Sequence, residues 1–293
     1  MLMGDKKSGI QAKEKTGTRK DGDKGGRRLA LSFLQHLRLI CLYFKYNLLS
    51  AMEYRVSFIL QALGMALNNA FFLFFWWVIF QKVSSIGGYG FKDVMVIWAL
   101  SSSTYGFLHI LFGNVRELPR IIMNGELDTY LLQPKNVYVN VYCSRMIVSA
   151  WGDLVYGFVL ILLVYGFAPL KLLLFILFTA AGGLLAGAIM SVADTLTFYI
   201  GNSSGISRLV TEFLINFSIY PDSIYRQSVK VIMYTLLPTG FIVFLPFRLL
   251  SAFNWYGLLG LLAIDAVYIG ISYLFFKRGL ERYESGNLIT TKL

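Results

Sequence analysis

Residues 56–80 read VSFILQALGMALNNAFFLFFWWVIF, twenty-five consecutive positions without a charge. About 20 predominantly apolar residues cross the ~30 Å hydrocarbon layer of a bilayer as a helix. In lipid only a helix or a closed barrel satisfies its own backbone. Four further segments qualify by length: 94–113, uncharged, then 146–167, 172–200 and 255–276, which carry one acid each, Asp153, Asp194 and Asp265. The whole chain agrees. Only 15% of its residues are charged and 56% are hydrophobic, whereas about 25% charge is usual in soluble domains. The mean hydropathy is +0.61, and aromatics reach 16%, as expected where Trp and Tyr line the membrane boundary. The expectation is an all-α polytopic membrane protein.

The net charge of +11 would suggest nucleic acid in a soluble protein; here its distribution suggests topology and no nucleic-acid partner. If 206–220, which carries Arg208 and Glu212, crosses the membrane and 231–252 does not, six spans place both termini on one side. That side then holds 21 of the 27 Lys and Arg residues, and still twelve against six when residues 1–28 are set aside. The excess of positive charge predicts cytoplasmic termini in a plasma membrane of the bacterial inner-membrane type. Residues 1–28 hold nine Lys/Arg, four Asp/Glu and few large apolar side chains, so a disordered basic tail is expected. It either solvates and fixes topology or grips anionic lipid. It has no signal-peptide core. Cys41 and Cys143 both fall on the cytoplasmic side, where a structural disulfide is not expected.

Two segments fit neither span nor loop. In 33–55 the residues Phe33, Leu37, Ile40, Phe44 and Leu48 recur at helical spacing while Arg38 and Lys45 point elsewhere. This predicts an amphipathic helix along the cytoplasmic interface; a seventh span is the alternative, at a cost of ~2.5–3.5 kcal/mol for each buried cation. The stretch 221–254 is apolar in its second half but interrupted by Pro238 and Pro246. Backbone freed by proline is tolerated at membrane depth only inside protein or beside a cavity. An outer re-entrant pair of short helices is therefore expected, with a plain external helix as the alternative.

The longest internal cytoplasmic loop is 114–145, and within it NGELDTYLLQPKN (124–136) is patterned. Val115, Leu118 and Ile122 share a helical face. Gly125 stands where a helix end favours glycine. Glu126 and Asp128 open a new turn, as acids do at a helix N-terminus. Leu127, Tyr130 and Leu131 then form an apolar-aromatic face with little chain of its own to pack against, and Pro134 ends the piece. Periodicity leaves two uses open for that face: lipid headgroups, or the groove of a partner.

Met123–Pro134 (MNGELDTYLLQP) resembles the cytoplasmic loop of ABC-2 type transporter permeases, and is most similar to the six-span branch of daunorubicin-exporter-like permeases. Further elements agree in order over residues 35–285: Tyr54-Arg55, the Gly87–Tyr89 turn, Tyr220–Tyr225 (YPDSIY), the Leu237-Pro238 and Leu245-Pro246 pair, and Arg278–Tyr283 (RGLERY). The resemblance implies that the loop is a coupling helix seated in a cleft of a separate ATPase subunit. Glu126, Leu127, Asp128, Tyr130, Leu131, Gln133 and Pro134 would carry that contact. It also implies a second permease copy or a similar permease as partner, membrane lipids around the bundle, and export. The chain contains no G-x-x-x-x-G-K-[ST] phosphate loop, so no cofactor is expected on this chain, with ATP and Mg2+ on the partner ATPase. The apolar spans suit an amphiphilic, lipid-like or drug-like cargo.

Asp153, Asp194 and Glu212 fall at a similar shallow depth of roughly 10 Å from the inner boundary, with Arg208 one turn from Glu212. Intramembrane charge raises a functional hypothesis by default. The four residues read either as an ion-pair cluster closing the inner end of the bundle around the Gly201–Gly205 hairpin, or as an inner gate whose contacts break during transport. Asp265, deep in the last span, is expected to hydrogen-bond a buried partner. The small residues Ala180–Gly183 and Gly187 permit close packing, between permeases or within one. An intramembrane enzyme is the main rival class, but His36 and His109 are isolated and no H-E-x-x-H or G-x-S-x-G motif occurs; His109 is expected to be a satisfied packing residue. A proton-coupled carrier would require internal repeats and broken helices around deep acids, and the sequence does not exclude a passive channel or scaffold.

Overall fold

The computed structural model describes residues 34–284. The basic tail 1–28 and Phe33 lie outside them. The chain divides into two units, Met1–Leu42 and Tyr43–Leu293. In the first, residues 34–42 are helical. The second opens with helical residues 43–53 (α1). It continues through α2 (Arg55–Phe80), α3 (Phe91–Leu111), α4 (Leu118–Met123), α5 (Leu127–Leu131), α6 (Val137–Cys143), α7 (Ala150–Tyr165), α8 (Pro169–Thr195), α9 (Thr197–Ile200), α10 (Ser204–Ile219), α11 (Gln227–Thr235), α12 (Leu245–Ser251) and α13 (Trp255–Leu280). Among the described residues there is no strand, only an isolated bridge from Ile86 to Tyr89.

Four helices are long and apolar enough to cross a membrane: α2, α3, α8 with α9, and α13. The bent pair formed by α11 and residues Gly240–Ser251 could count as a fifth. Of the segments expected to span, one is shorter than drawn, and a second is short as drawn and observed. The third expected span, 146–167, is helical only over the 16 residues of α7. Residues just before it are held in a turn by the Ile147 amide, which donates to the His109 carbonyl at 3.0 Å. α10 is also 16 residues, about 24 Å at 1.5 Å per residue.

α3 is the axis of the bundle. It is buried along nearly its whole length, and its Ser101–Thr104 run supplies small side chains where neighbours approach. Two glycines set that approach. A Cβ on Gly106 would lie 2.7 Å from the Leu154 amide nitrogen and 2.9 Å from the Ala150 carbonyl. Further along, Gly157 faces the Ala99 carbonyl, so α3 and α7 run antiparallel in backbone contact. On α8, Gly182 meets Thr104 and the Ile242 carbonyl, while Gly183 meets Phe107. The small-residue stripe therefore packs within one chain. α2 is the opposite case: only Asn69 and Trp76 are buried, and Ile59, Leu63, Phe71 and Phe74 face outward, a surface suited to lipid.

The two ends of the bundle are joined by different contacts. At one end the Tyr89 hydroxyl donates to Asp222 Oδ1 at 2.6 Å, and Arg248 Nη2 donates to Asp222 Oδ2 at 2.9 Å. Burial, and then the adjacent Asp222 carboxylate, hold the Tyr89 hydroxyl well above its ordinary range. The bent pair, turned by 81°, follows Asp222 in sequence and carries Arg248 in its second arm. Its interior reaches mid-bundle: the Tyr268 hydroxyl, halfway along α13, donates to the Thr235 carbonyl at 2.7 Å. Pro238 lies at the break. Pro246, expected to interrupt as well, sits in the first turn of α12 directly after the π-turn Gly240–Phe244. A π-turn is one way a helix accommodates a proline that cannot donate to the previous turn.

At the other end α1 braces the underside of the bundle. Phe44, Leu48 and Ala51 pack on Ile110, Met146 and Ala150, and Asn47 Nδ2 donates to the Cys143 carbonyl at 3.0 Å. The expected amphipathic face is thus partly occupied by protein.

Adding a methyl at Gly106 should lower the thermal stability of the detergent-solubilised protein, by about 1–3 kcal/mol as overpacking of backbone does. Gly64→Ala, with nothing within 4 Å of the added Cβ, should leave it unchanged or raise it slightly. A melting-curve pair for the two variants checks this.

Candidate functional site

The loop 114–145 folds into three short helices, α4, α5 and α6, separated by turns the sequence specifies. Gly125 has φ +71°, a left-handed value that glycine accepts without cost; it ends α4 and lets α5 begin at once. Glu126 is the N-cap of α5 and Asp128 lies in its first turn. The Asn136 side chain accepts from the Val139 amide and starts α6. Arg120 holds the knuckle together, donating to Glu117 at 2.8 Å and to Glu126 at 2.7 Å. These pairs are exposed, so each contributes little by itself; their effect is to set the angle between α4 and α5.

Two residues expected on the outward face point inward. Leu127 is fully buried. Tyr130 packs on the core, its hydroxyl 3.0 Å from Ser144 Oγ. Contrary to the expectation, this face has ample chain of its own to cover it. The outward apolar pair is Leu131, 39% exposed, and Leu132, 87% exposed. Leu132 was missed because the i, i+3, i+4 pattern of 127, 130 and 131 describes the inner face. The surrounding surface is formed by Glu126, Thr129, Pro134 and Lys135, all exposed, while Gln133 is half-buried and its amide bonds the Thr129 carbonyl.

Several contacts fasten the knuckle to the bundle. Tyr138 hydroxyl and Ser272 Oγ lie 2.9 Å apart on α6 and α13. Ser191 Oγ donates to the Tyr142 hydroxyl at 2.8 Å, joining α8 to α6. The Tyr283 hydroxyl, just beyond α13, is pushed up to about 12 by burial and then by the neighbouring Asp128 carboxylate. The last is the strongest. Arg116 has φ +88°, the one positive value among described non-glycine residues, a conformation that costs an L-residue about 1–2 kcal/mol. Its amide donates to Asp194 Oδ2 at 2.8 Å. Asp194 is fully buried at the C-terminal end of α8 and also accepts from the Ser207 hydroxyl of α10 through Oδ1. One carboxylate therefore joins the knuckle to two helices. Cys143, buried beneath α6, is a free thiol that burial pushes up to about 12.

The expected inner cluster is not assembled. Arg208 and Glu212 pair with each other at 2.9 Å on the exposed side of α10. Asp194 takes Ser207 and the Arg116 amide instead of Arg208. Asp153 lies apart, accepting from Asn69 Nδ2 of α2 at 2.6 Å. The error was to assign charge partners by sequence proximity: Arg208 is one residue past Ser207, and that step turns it to the outer face. Asp265 is buried, but its Oδ1 has no hydrogen-bond partner among the described residues, and neither has His109 Nε2. Both were expected to be satisfied. No group of three or more His, Cys, Asp or Glu suited to a metal occurs among the described residues.

The profile of ABC-2 family transporter proteins matches residues 66–286. That covers three quarters of the chain, including the axial helix, the knuckle, the bent pair and α13. The chain belongs to the ABC-2 transporter family. With its long apolar helices it is a transmembrane permease of that family. No curated protein and no solved structure matches the chain significantly.

Asp194→Ala would leave the Arg116 amide and the Ser207 hydroxyl buried without an acceptor. It should cost about 2–4 kcal/mol. Arg116→Gly should instead stabilise by about 1 kcal/mol, because glycine accepts the positive φ. Thermal unfolding of the purified ABC-2 permease and the two variants reads both signs.

Proposed function

We propose that this permease is the membrane-crossing part of an ATP-driven exporter, with ATP hydrolysed on separate ATPase subunits that dock on the 124–136 knuckle. The observation that carries the proposal is the buried Asp194 bridge. An exposed apolar knuckle, Leu131-Leu132, is tied through a strained Arg116 backbone to the inner ends of two helices. A partner that moves Leu131 and Leu132 thus moves α8 and α10. Such a lever is what a permease without its own phosphate loop requires, and neither a proton-coupled carrier nor an intramembrane enzyme has use for it.

The same reading takes α2, α3, α7, α8, α10 and α13 as six crossings with both termini cytoplasmic. The contacts at the two ends support it. Tyr89 and Asp222 meet at one end, while Arg116, Asp194 and Ser207 meet at the other, so α10 connects opposite faces despite its length. A helix near 24 Å spans by local thinning of the bilayer. The bent pair is re-entrant from the outer face: Arg248 in its second arm joins Asp222, which precedes its first, and its interior touches the midpoints of α8 and α13. Asp153, Asp194, Arg208 and Glu212 do not act as one gate in this account; Asp194 alone couples. The cargo class is amphiphilic, in keeping with the apolar outer surface of α2, and a second permease copy completes the path.

Affinity-purified wild-type permease should retain a nucleotide-binding subunit, identified by its phosphate-loop peptide and by ATPase activity. Leu131→Asp with Leu132→Asp should lower retention at least tenfold, since each buried interface leucine contributes on the order of 1–2 kcal/mol. Equal retention in the double variant, at unchanged thermal stability, would reject the knuckle as the docking element.

A further inference from the structure

Beneath the outer ion pair a cleft of about 340 Å³ opens within the bent pair. Its lining is Asp222, Gln227, Lys230, Val231, Tyr234, Thr235 and Arg248. Gln227, Lys230, Val231 and Tyr234 follow the i, i+3, i+4, i+7 spacing of one face of α11, and Arg248 faces them from α12. The hydrogen-bonding capacity of this cleft is one-sided. Its single carboxylate is already occupied on both oxygens, Oδ1 by Tyr89 and Oδ2 by Arg248. The Thr235 hydroxyl is spent on the Val231 carbonyl. What remains are donors. Lys230 forms no ion pair among the described residues. Arg248 commits one Nη2–H to Asp222 and stays 58% exposed. The Tyr234 hydroxyl is buried beside the Asp222 carboxylate but makes no hydrogen bond to it among the described residues, and the Gln227 amide is exposed at the mouth. The two cations outnumber the one acid, so the cleft carries a net positive charge.

We infer that this cleft binds a phosphate-class anion: a phosphate or phosphodiester group held by Lys230, Arg248 and the Tyr234 hydroxyl, with the Gln227 amide at the rim. A phosphate offers several acceptor oxygens to donors converging from different directions and is favoured by Arg and Lys together. A simple halide would leave most of the donors unused, and a cation would meet Lys230 and Arg248. The cleft volume admits more than a bare ion, so the group can belong to a lipid headgroup or to free phosphate. The inference concerns the outer end of the bundle and does not require the knuckle to bind an ATPase.

The test uses the full-length protein in a neutral detergent, with inorganic phosphate and dihexanoyl phosphatidylglycerol as separate probes and a non-ionic dihexanoyl glyceride as control. Binding is read by native mass spectrometry and by a ligand-dependent rise in melting temperature. Lys230→Gln and Tyr234→Phe, which leave the Asp222–Arg248 pair in place, should each weaken binding about tenfold, the loss expected for one charge-assisted or buried hydrogen bond. Binding of both probes, or of phosphate alone, supports a site for the free anion. Binding of phosphatidylglycerol alone supports a headgroup site. If neither probe binds above the glyceride control, or if both variants bind like wild type, the inference is overturned. Equal ATPase retention in the Leu131 and Leu132 double variant with intact phosphate binding would reject only the coupling proposal, and lowered retention without phosphate binding only this one.

Discussion

A single buried carboxylate organises one end of the bundle. Asp194 receives the amide of Arg116 and the hydroxyl of Ser207, and its position on α8 leaves it no contact with bulk water. Hydrogen bonds to such a group contribute about 1.5–3 kcal/mol each, and losing the acceptor costs both donors their partner. The bond to Arg116 also holds a backbone conformation that would relax without it. Consequently the first turn of the 114–145 segment cannot move independently of α8 and α10. The remaining ties, Tyr138 to Ser272, Ser191 to Tyr142 and Asn136 to Tyr273, spread that constraint to α13.

The opposite end is built on the same plan with a different acid. Asp222 binds Tyr89 from one loop and Arg248 from α12, and so closes the bent pair on itself. Between the two acids runs a bundle whose close approaches are made by glycine and small polar residues of α3, α7 and α8. Rigid packing between two clamped ends transmits displacement, because packed interiors yield little under strain. The proposed drive through the 124–136 knuckle would need that stiffness along the axis.

Much of the fold was legible in the sequence because lipid imposes a simple rule. The boundaries of α2 follow from where charge stops and starts, whereas α13 runs on through Lys277 and Arg278 to Leu280. The break at Pro238, the glycine at 125 and the acidic start of α5 follow from backbone chemistry alone. What the sequence concealed was direction. Leu127 and Tyr130 obey the spacing of an exposed face yet point inward, because α6 and the rest of the core supply the cover that a local pattern cannot reveal. Arg208 and Asp194 lie close in the chain, but the partner of Asp194 is a backbone amide 78 residues away. Backbone donors carry no sequence signature, and neither does the positive φ of a non-glycine residue. The shortness of α7 was hidden by apolar turn residues, Met146 to Val148, that continue the hydrophobic run without continuing the helix.

Pulsed electron–electron distance measurement tests the central claim most directly. Spin labels on Thr129 of the knuckle and Ser204 at the start of α10, both exposed, would be followed in the assembled transporter with and without a non-hydrolysable ATP analogue. The account predicts that the distance between them stays constant in both states, while Asp194→Ala broadens it and makes it nucleotide-dependent. A wild-type distance that shifts with nucleotide, as the knuckle swings while α10 stays still, would contradict the claim that Asp194 couples the two.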